Sequence, residues 1–265
     1  MKGDRPGQPA HPLLFDDVGA VEHFQDIPAY TQRYRRRRDV SFWCDLADGF
    51  GGPILEYGCG NGRISRALAN RGHTVTGVDR SAAMVADLRR RAPLEAVVGD
   101  MRTLRLRRRF PLVLATFNTV LHLYTRACLE AFFARVRAHL TPGGVFAFDA
   151  SVPVPRDLAR PPHRALAAGW GLRDGARVRA TESFDYQPLT QILNTSLVWR
   201  PAEGGEAHHE LLAQRQVFPA EWEALLHYNR FEIASIYADY QHIPPHDACD
   251  VLIWVCRVRD RRRTR

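Results

Sequence analysis

The sequence contains no C-x-x-C pair and no even set of cysteines from which a disulfide framework could be built. Disulfide-stapled domains and structural zinc sites both need paired or closely spaced cysteines. Here the cysteines are odd in number and scattered along the chain: Cys44, Cys59, Cys128, Cys249 and Cys256. We therefore expect free thiols, a reducing environment and no bound metal.

Long apolar runs are also missing. No stretch approaches the roughly 20 apolar residues that span a bilayer, and the N-terminus has no apolar core of the kind found in signal peptides. A membrane partner is therefore not expected, and the sequence predicts a soluble, cytoplasmic protein.

Lysine is scarce, so the formal net charge of +8 comes almost entirely from arginine. A basic chain can neutralise the phosphates of a nucleic acid. However, the arginines are spread along predicted helices and gather only in residues 35–38 and 261–265, and an arginine-favouring codon usage gives the same bias. We treat nucleic acid as an unlikely partner at this stage.

Glycine is concentrated in one informative stretch, ILEYGCGNGRIS, over residues 54–65. Two apolar residues and an acid, Glu56, precede Gly58, Gly60 and Gly62, after which apolar residues recur at helical spacing. The pattern predicts a strand, a tight turn and a helix. Dinucleotide-binding turns have the spacing G-x-G-x-x-G, but the third glycine comes one residue early here. The turn is thus suited to a ligand other than a dinucleotide.

Three further segments follow this turn in order. TVTGVDRS, residues 74–81, predicts a second strand that ends in Asp79, 19 positions after Gly60. This interval is close to the roughly 20 residues at which nucleoside-binding α/β units place an acid for the ribose. VVGDM, residues 97–101, and HLTPGGVFAFDA, residues 139–150, predict the end of a third strand and the turn into a fifth.

Together these four motifs resemble those of class I S-adenosylmethionine-dependent methyltransferases, of the small-molecule type that methylates amines and amino sugars. The resemblance covers residues 40–150 well and the two ends loosely. It implies a Rossmann-like α/β sheet of seven strands, mostly parallel with the last strand antiparallel, and S-adenosyl-L-methionine as cofactor. The cofactor residues that it implies are Tyr34, Arg38, Glu56, Gly58, Gly60, Gly62, Asp79, Arg80, Asp100, Met101 and Phe117.

The resemblance also assigns the segments outside the glycine turn. Residues 1–23 are expected to be a disordered tail, and 24–150 a lid helix followed by the cofactor-binding half. Residues 29–47 show helical spacing, and Asp39 is expected to cap this helix or to pair with the preceding arginines. In enzymes of this kind, tyrosines and a basic residue of this segment cover the methionine end of the cofactor; Arg38 is the first choice and Arg37 the second. The prolines of residues 151–163 predict a linker rather than a helix, and period-two alternation with turn signals at Pro188 and Gly204-Gly205 predicts three antiparallel strands up to residue 218. The resemblance makes this 151–218 segment a substrate flap, which could also mediate a homodimer, and 219–265 would complete the sheet.

The predicted loop Phe117–Thr125, after the fourth strand, is where the resemblance puts the acceptor. It implies His122 as the catalytic base or orienting group, with Tyr30 beside it, and Asn118 and Tyr124 as substrate contacts. A purely structural role for His122 in this loop has equal weight, because only its position supports the catalytic assignment. The expected reaction is methyl transfer to nitrogen or oxygen of a small metabolite or short peptide.

Two alternatives belong to other classes. A nucleic-acid methyltransferase is expected to carry an N/D-P-P-Y/W/F or Pro-Cys motif, and ATFN at residues 115–118 provides neither. A cofactor-binding module without activity should have lost the ribose acid or the glycines, whereas Asp79 and all three glycines are present.

Overall fold

The computed structural model describes residues 39–173 and 176–259 of the 265-residue chain. The predicted tail and the site candidates Tyr30, Tyr34 and Arg38 lie outside the described residues. Within them, no helix is both long and apolar enough to span a bilayer.

The first half of the described chain alternates helices and strands. Its elements are α1 (Asp39–Phe50), β1 (Ile54–Tyr57), α2 (Arg63–Asn70), β2 (Val75–Asp79), α3 (Ala82–Arg91), β3 (Glu95–Val98), β4 (Phe110–Ala115), a 3₁₀ helix (Thr119–His122), α4 (Arg126–His139) and β5 (Leu140–Ser151). Local signals set several of these boundaries. The Ser81 hydroxyl accepts from the Met84 N–H and caps α3, and α2 ends at the predicted Arg71-Gly72 stop.

The second half begins with a short helix and continues mainly as strands. Its elements are α5 (Pro155–Leu158), β6 (Leu166–Arg173), β7 (Ala176–Gln187), β8 (Ile192–Pro201), β9 (His208–Arg215), α6 (Pro219–Tyr228), β10 (Phe231–Ala238) and β11 (Val251–Val258).

Seven of the strands form one sheet in the order β3-β2-β1-β4-β5-β11-β10. Strands β1 to β5 are parallel, while β11 pairs antiparallel with both β5 and β10. The predicted Rossmann-like sheet with an antiparallel last strand is confirmed.

Both faces of this sheet are buried. Along β5, Phe146 and Phe148 point into one apolar cluster, while Val145 and Ala147 point into the other. A strand that is covered on both sides reads as a continuous apolar run, which is why VFAFDA and FPLVLA could be recognised from sequence. The sheet is thereby fixed between helical layers, and its carboxyl edge carries the site.

The inserted flap is a separate antiparallel sheet in the order β6-β7-β8-β9. The flap is confirmed, but the expectation of three strands was wrong, because β6 adds a fourth. Its sequence, LAAGWGLR, is broken by two glycines, with Gly169 at φ 103°, and the register shifts between Ala167 and Gly169. Exposed, glycine-containing edge strands lack the alternating pattern by which strands are recognised.

Two other local predictions need correction. The proline-rich segment 151–163 was expected to contain no helix, yet Pro155 begins the four-residue α5. Proline is compatible with the first helical position, because the N–H that it lacks would have no partner there. The loop 117–125 likewise contains the 3₁₀ helix, which is too short to show a period in sequence.

Candidate functional site

The candidate site lies where the strand order reverses, between β1 and β4. Ligands of open α/β sheets bind outside the carboxyl ends of the strands at this point. The loops that follow β1 and β4 touch here: a Cβ added to Gly58 would lie 2.3 Å from Oγ1 and 2.5 Å from Cγ2 of Thr119. Two distant sequence segments, the glycine turn and the predicted acceptor loop, are therefore packed together.

The glycine turn has a backbone that side chains other than glycine rarely adopt. Gly58, Gly60 and Gly62 have φ values of 66°, 54° and 85°. At Gly62, a Cβ would also lie 2.1 Å from Cδ1 of Leu88 on α3. The spacing of glycines at every second position thus reflects a tightly packed left-handed turn.

Asp79 ends β2 directly beside this turn. Its two carboxylate oxygens accept from the Gly60 N–H and the Ser81 N–H, each at 2.8 Å. Burial raises the pKa of Asp79, while these two N–H groups and the nearby charges of His122 and Arg80 act to lower it. The carboxylate is held in one orientation against the glycine turn and keeps further lone pairs for hydroxyl donors.

Asp100 follows β3 on the next loop and is held by its neighbour. The Arg102 backbone N–H donates to Oδ1 at 2.8 Å, and the Arg102 guanidinium donates to Oδ2 at 2.7 Å. Burial tends to raise the pKa of Asp100, but hydrogen bonds from Arg102 hold it below its ordinary value. Met101 is partly buried against the core, and the exposed Arg80 contributes positive charge to both Asp79 and Asp100.

Glu56, the acid that ends the first strand segment, is fully buried. Its carboxylate accepts from the Ser65 hydroxyl and, at 2.8 Å, from the Thr116 hydroxyl. Burial raises its pKa to about 7, and the two hydroxyls and Arg63 only partly offset this rise. The structure therefore gives Glu56 internal partners that tie together β1, α2 and the end of β4.

In the predicted acceptor loop, Asn118 and Tyr124 have structural partners. The Asn118 side chain accepts from the Ser151 N–H at 2.8 Å and donates to the Ser151 hydroxyl at 2.9 Å. Tyr124 is buried against Ile192 and Ala213, and its hydroxyl donates to the Ala213 carbonyl at 3.1 Å. Tyr124 thus docks the flap on this loop.

His122 is partly buried at the end of the 3₁₀ helix of the same loop. The same 3₁₀ helix begins at Thr119, whose side chain lies against Gly58 of the glycine turn. The structure therefore brings His122, Asp79 and the glycines to one edge of the sheet.

Sequence reasoning missed the role of Arg63, which directly follows the last glycine of the turn. Its guanidinium donates to both carboxylate oxygens of the buried Asp39, each at 2.7 Å, and lies 5.1 Å from the ring centroid of Phe117. Asp39 had been expected to cap its helix or pair with the preceding arginines. Instead, a bidentate ion pair ties the start of α1 to the turn, at a sequence separation that no local pattern reveals.

Asp149 and Tyr240 were missed as well. Asp149 is fully buried near the carboxyl end of β5, and its carboxylate accepts from the Tyr240 hydroxyl and the Asn118 N–H. An acid at the carboxyl end of a buried strand was a usable signal for Asp149. Nothing in the sequence around Tyr240 points to this edge of the sheet.

Cys59, inside the glycine turn, is a buried packing residue. Its Sγ lies 2.8 Å from the position that a Cβ on Gly77 would occupy, and burial raises the pKa of the thiol. All five cysteines are free thiols, and the described residues contain no group of three or more potential metal ligands.

This donor set fits a nucleoside ligand. A left-handed glycine turn allows backbone N–H groups to approach a ligand, and the oriented carboxylate of Asp79 suits the two hydroxyls of a ribose. Asp100, near the carboxyl end of β3, adds an acceptor for an exocyclic amine. Among the residues that the resemblance assigned to S-adenosylmethionine, Asp79, Asp100 and the three glycines thus have compatible chemistry, whereas the buried Glu56 carboxylate is bound by Ser65 and Thr116.

Comparison with known proteins supports the same interpretation. Residues 54–144 match the family described as "Methyltransferase domain". The chain is similar to a dTDP-3-amino-3,6-dideoxy-alpha-D-glucopyranose N,N-dimethyltransferase of Streptomyces fradiae, with 44% identity over 94 residues, covering 35% of this chain and 36% of the relative. It is also 30% identical over 151 residues to the cypemycin N-terminal methyltransferase of Streptomyces sp, covering 56% and 60% of the two chains. The chain thus spans between about a third and 60% of these relatives.

Solved structures resemble the chain over most of its length. The CcbJ methyltransferase from Streptomyces caelestis has a TM-score of 0.72 at 24% identity, covering 84% of this chain and 90% of that one. CalS10, an amino pentose methyltransferase from Micromonospora echinaspora solved with S-adenosylmethionine bound, has a TM-score of 0.69 at 22% identity, covering 86% and 96%. Residues 54–144 therefore match a methyltransferase domain, and the described chain has the Rossmann-like fold of these solved structures.

Proposed function

We propose that this protein is an S-adenosylmethionine-dependent methyltransferase that methylates an amine nitrogen of a small metabolite, a sugar or a short peptide. The observation that carries the proposal is the Asp79 carboxylate, fixed by the Gly60 and Ser81 N–H groups beside the glycine turn. The relatives, which include a sugar N,N-dimethyltransferase and an N-terminal methyltransferase, favour nitrogen over oxygen as the acceptor atom.

In this proposal each cofactor contact has a residue of matching chemistry. Asp79 would accept from the ribose hydroxyls, and Asp100 with the Met101 backbone would recognise the adenine. Gly58, Gly60 and Gly62 would allow close approach of the chain, with Arg80 and Phe117 flanking the site. Tyr34 and Arg38 would cover the methionine end, and Glu56, bound internally by Ser65 and Thr116, would fix the end of β1 from which the glycine turn starts. Bound S-adenosylmethionine would supply a methyl group already activated by its sulfonium.

The remaining task of the protein is orientation, exclusion of water and removal of one proton. An alkyl amine arrives largely protonated at neutral pH and must lose a proton before its nitrogen lone pair is available. His122 is the proposed acceptor of that proton, with Tyr30 as a second catalytic group and Asn118 and Tyr124 shaping the acceptor side. The flap, which Tyr124 anchors beside this loop, would shield the reacting groups from water.

Three further assignments belong to the same proposal. The enzyme would act in the cytoplasm, on a small-molecule or peptide acceptor rather than on nucleic acid. The β flap is its proposed homodimer surface.

Calorimetric titration with S-adenosylmethionine and with its demethylated product tests the cofactor assignment. Asp79→Ala should weaken binding at least about 100-fold, because two charge-assisted hydrogen bonds of about 1.5–3 kcal/mol each are lost. The control is the exposed Asp45 of α1, which forms an ion pair with Arg71 at the end of α2. The Asp45→Ala variant should bind S-adenosylmethionine as tightly as the native protein. Equal affinity of the native protein and Asp79→Ala would contradict the proposal.

Mass spectrometry with isotope-labelled cofactor tests the acceptor. A 3-amino-3-deoxyglucoside, a short peptide with a free N-terminus and their N-acetylated forms should be offered in parallel. The proposal expects label on a free amine and none on the acetylated partner. Label on both forms of one acceptor would instead indicate oxygen methylation.

A further inference from the structure

Asp149 joins three segments that are far apart in the sequence. It lies at the carboxyl end of β5 with no exposed surface. One carboxylate oxygen accepts from the Asn118 N–H at 3.0 Å, and the other accepts from the Tyr240 hydroxyl. The end of the central sheet, the loop after β4 and the connection between β10 and β11 therefore meet at a single carboxylate.

The loop after β4 needs such support because its backbone is unfavourable. Phe117 and Asn118 are consecutive residues other than glycine, each with φ 61°. Conformations of this kind are unfavourable for residues other than glycine and persist only when their surroundings enforce them. Here the Asn118 N–H is fixed by Asp149, and its side chain is fixed by Ser151 two residues further along β5. His122 follows one turn of 3₁₀ helix later.

The connection that supplies Tyr240 is built in the same way. Asp239, Tyr240 and His242 have φ values of 51°, 59° and 54°. The Asp239 carboxylate accepts from the backbone N–H groups of Asp250 and Val251, each at 3.0 Å, and so closes the connection at its base.

Aromatic packing holds the far end of the connection on α1. His242 stacks on Phe42 with ring centroids 4.3 Å apart, and Tyr240 packs edge-on against Phe42 at 6.0 Å and Trp43 at 6.4 Å. The Tyr240 hydroxyl is therefore delivered to Asp149 by a fixed ring rather than by a mobile side chain.

The charged groups that act on Asp149 lie on the two helices α1 and α2. Asp39 of α1 raises its pKa, while Arg63 of α2 and the Tyr240 hydroxyl lower it; burial is the largest effect, and the pKa is raised to about 6. Glu56, on β1 two strands away in the sheet, also has a raised pKa, of about 7. The Asn118 N–H and the Tyr240 hydroxyl both donate to Asp149, so its ionised form fits this arrangement. A protonated Asp149 must either reverse its bond to Tyr240 or release one donor.

We propose that Asp149 and Tyr240 are positioning residues for the acceptor loop: the hydrogen bond between them fixes, through the Asn118 N–H, the loop that carries His122. The β10–β11 connection thereby controls the alignment of the acceptor side. The kinetic part of this inference rests on the proposed function, whereas its structural part does not. Asp149 and Tyr240 contact neither substrate nor cofactor in this scheme.

Hydrogen exchange of the full-length protein without any ligand tests the structural part. Tyr240→Phe keeps the ring packing and removes only the hydroxyl. Loss of one bond to a carboxylate should speed exchange of amides in 117–123 about tenfold at pH 8, with a melting temperature close to that of the native protein. Tyr237→Phe is the matched control, because Tyr237 packs on the same Phe42 at 5.7 Å. Exchange in Tyr240→Phe equal to that in Tyr237→Phe would overturn the proposal.

The pH profile separates positioning from a general loss of stability. Native kcat should fall as Asp149 becomes protonated near pH 6, and Tyr240→Phe should move this acidic limb to higher pH, since its carboxylate loses a stabilising donor. Asp149→Asn should lower kcat, and adding Tyr240→Phe to it should no longer shift the limb, which excludes both Glu56 and the proposed base His122 as the origin of the shift. An acidic limb that Tyr240→Phe leaves unmoved would overturn the proposal. If no acceptor is ever methylated, the proposed function fails while the exchange experiment still decides the structural part.

Discussion

Replacing Gly58 with alanine tests whether the glycine turn and the acceptor loop are packed as tightly as the structure shows. The new Cβ would stand 2.3 Å from Oγ1 and 2.5 Å from Cγ2 of Thr119, and its residue would have φ 66°. The backbone conformation costs an alanine about 1–2 kcal/mol, and overpacking adds about 1–3 kcal/mol. Gly58→Ala should therefore destabilise the protein by about 2–5 kcal/mol.

Gly143→Ala separates these two contributions. Gly143 has φ 75°, similar to that of Gly58, but a Cβ there has no atom within 4 Å. It should cost only the conformational part, about 1–2 kcal/mol. Urea denaturation of the two variants, analysed by linear extrapolation, measures the difference directly.

Thr119→Ala completes the test as a double-mutant cycle. Alone it removes the buried hydrogen bond from the Thr119 hydroxyl to the Thr116 carbonyl, 2.7 Å long, at a cost of about 1 kcal/mol. Combined with Gly58→Ala it removes the two atoms that clash most, so the double variant should be about 1–2 kcal/mol more stable than additivity predicts. Additive effects, or a Gly58→Ala cost no larger than that of Gly143→Ala, would refute the packing argument.

Two other predictions concern histidines. His122→Ala should lower turnover about 10²–10⁴-fold while leaving cofactor affinity intact, as expected for loss of a general base. The exposed His163 provides the control, and His163→Ala should keep full activity. Equal turnover rates in the two variants would remove His122 from the site. His139 is buried between the Tyr57 hydroxyl and the Leu106 N–H, and burial lowers its pKa below the ordinary 6.5. As the pH falls through about 6.5, the unfolded chain therefore binds a proton at this histidine while the folded protein does not, so the free energy of unfolding should fall. Urea titrations at pH 7.5 and 5.5 measure this loss, which should be smaller in His139→Gln than in the native protein.

The extent of the flap shows where sequence patterns stopped being informative. β7, β8 and β9 could be anticipated from their alternation and from the turns at Pro188 and Gly204-Gly205. β6 could not, because two glycines and a register shift remove the alternation from an exposed edge. Alternation of apolar and polar residues predicts strands that bury one face. An edge strand that is held mainly by hydrogen bonds to its neighbouring strand shows little of this alternation.

The sequence by itself determined the order of strands and helices in the first half, the left-handed turn at the three glycines and the acid at the end of β2. These features depend on residues close together in the chain, where glycine, apolar runs and capping residues act directly on the backbone. Only the tertiary structure decided that Arg63 pairs with Asp39, that Tyr124 docks the flap, and that Asp149 receives hydrogen bonds from both Asn118 and Tyr240. Such pairs join residues 24 to 91 positions apart, and they form because parallel strands bring the carboxyl ends of distant segments to one edge.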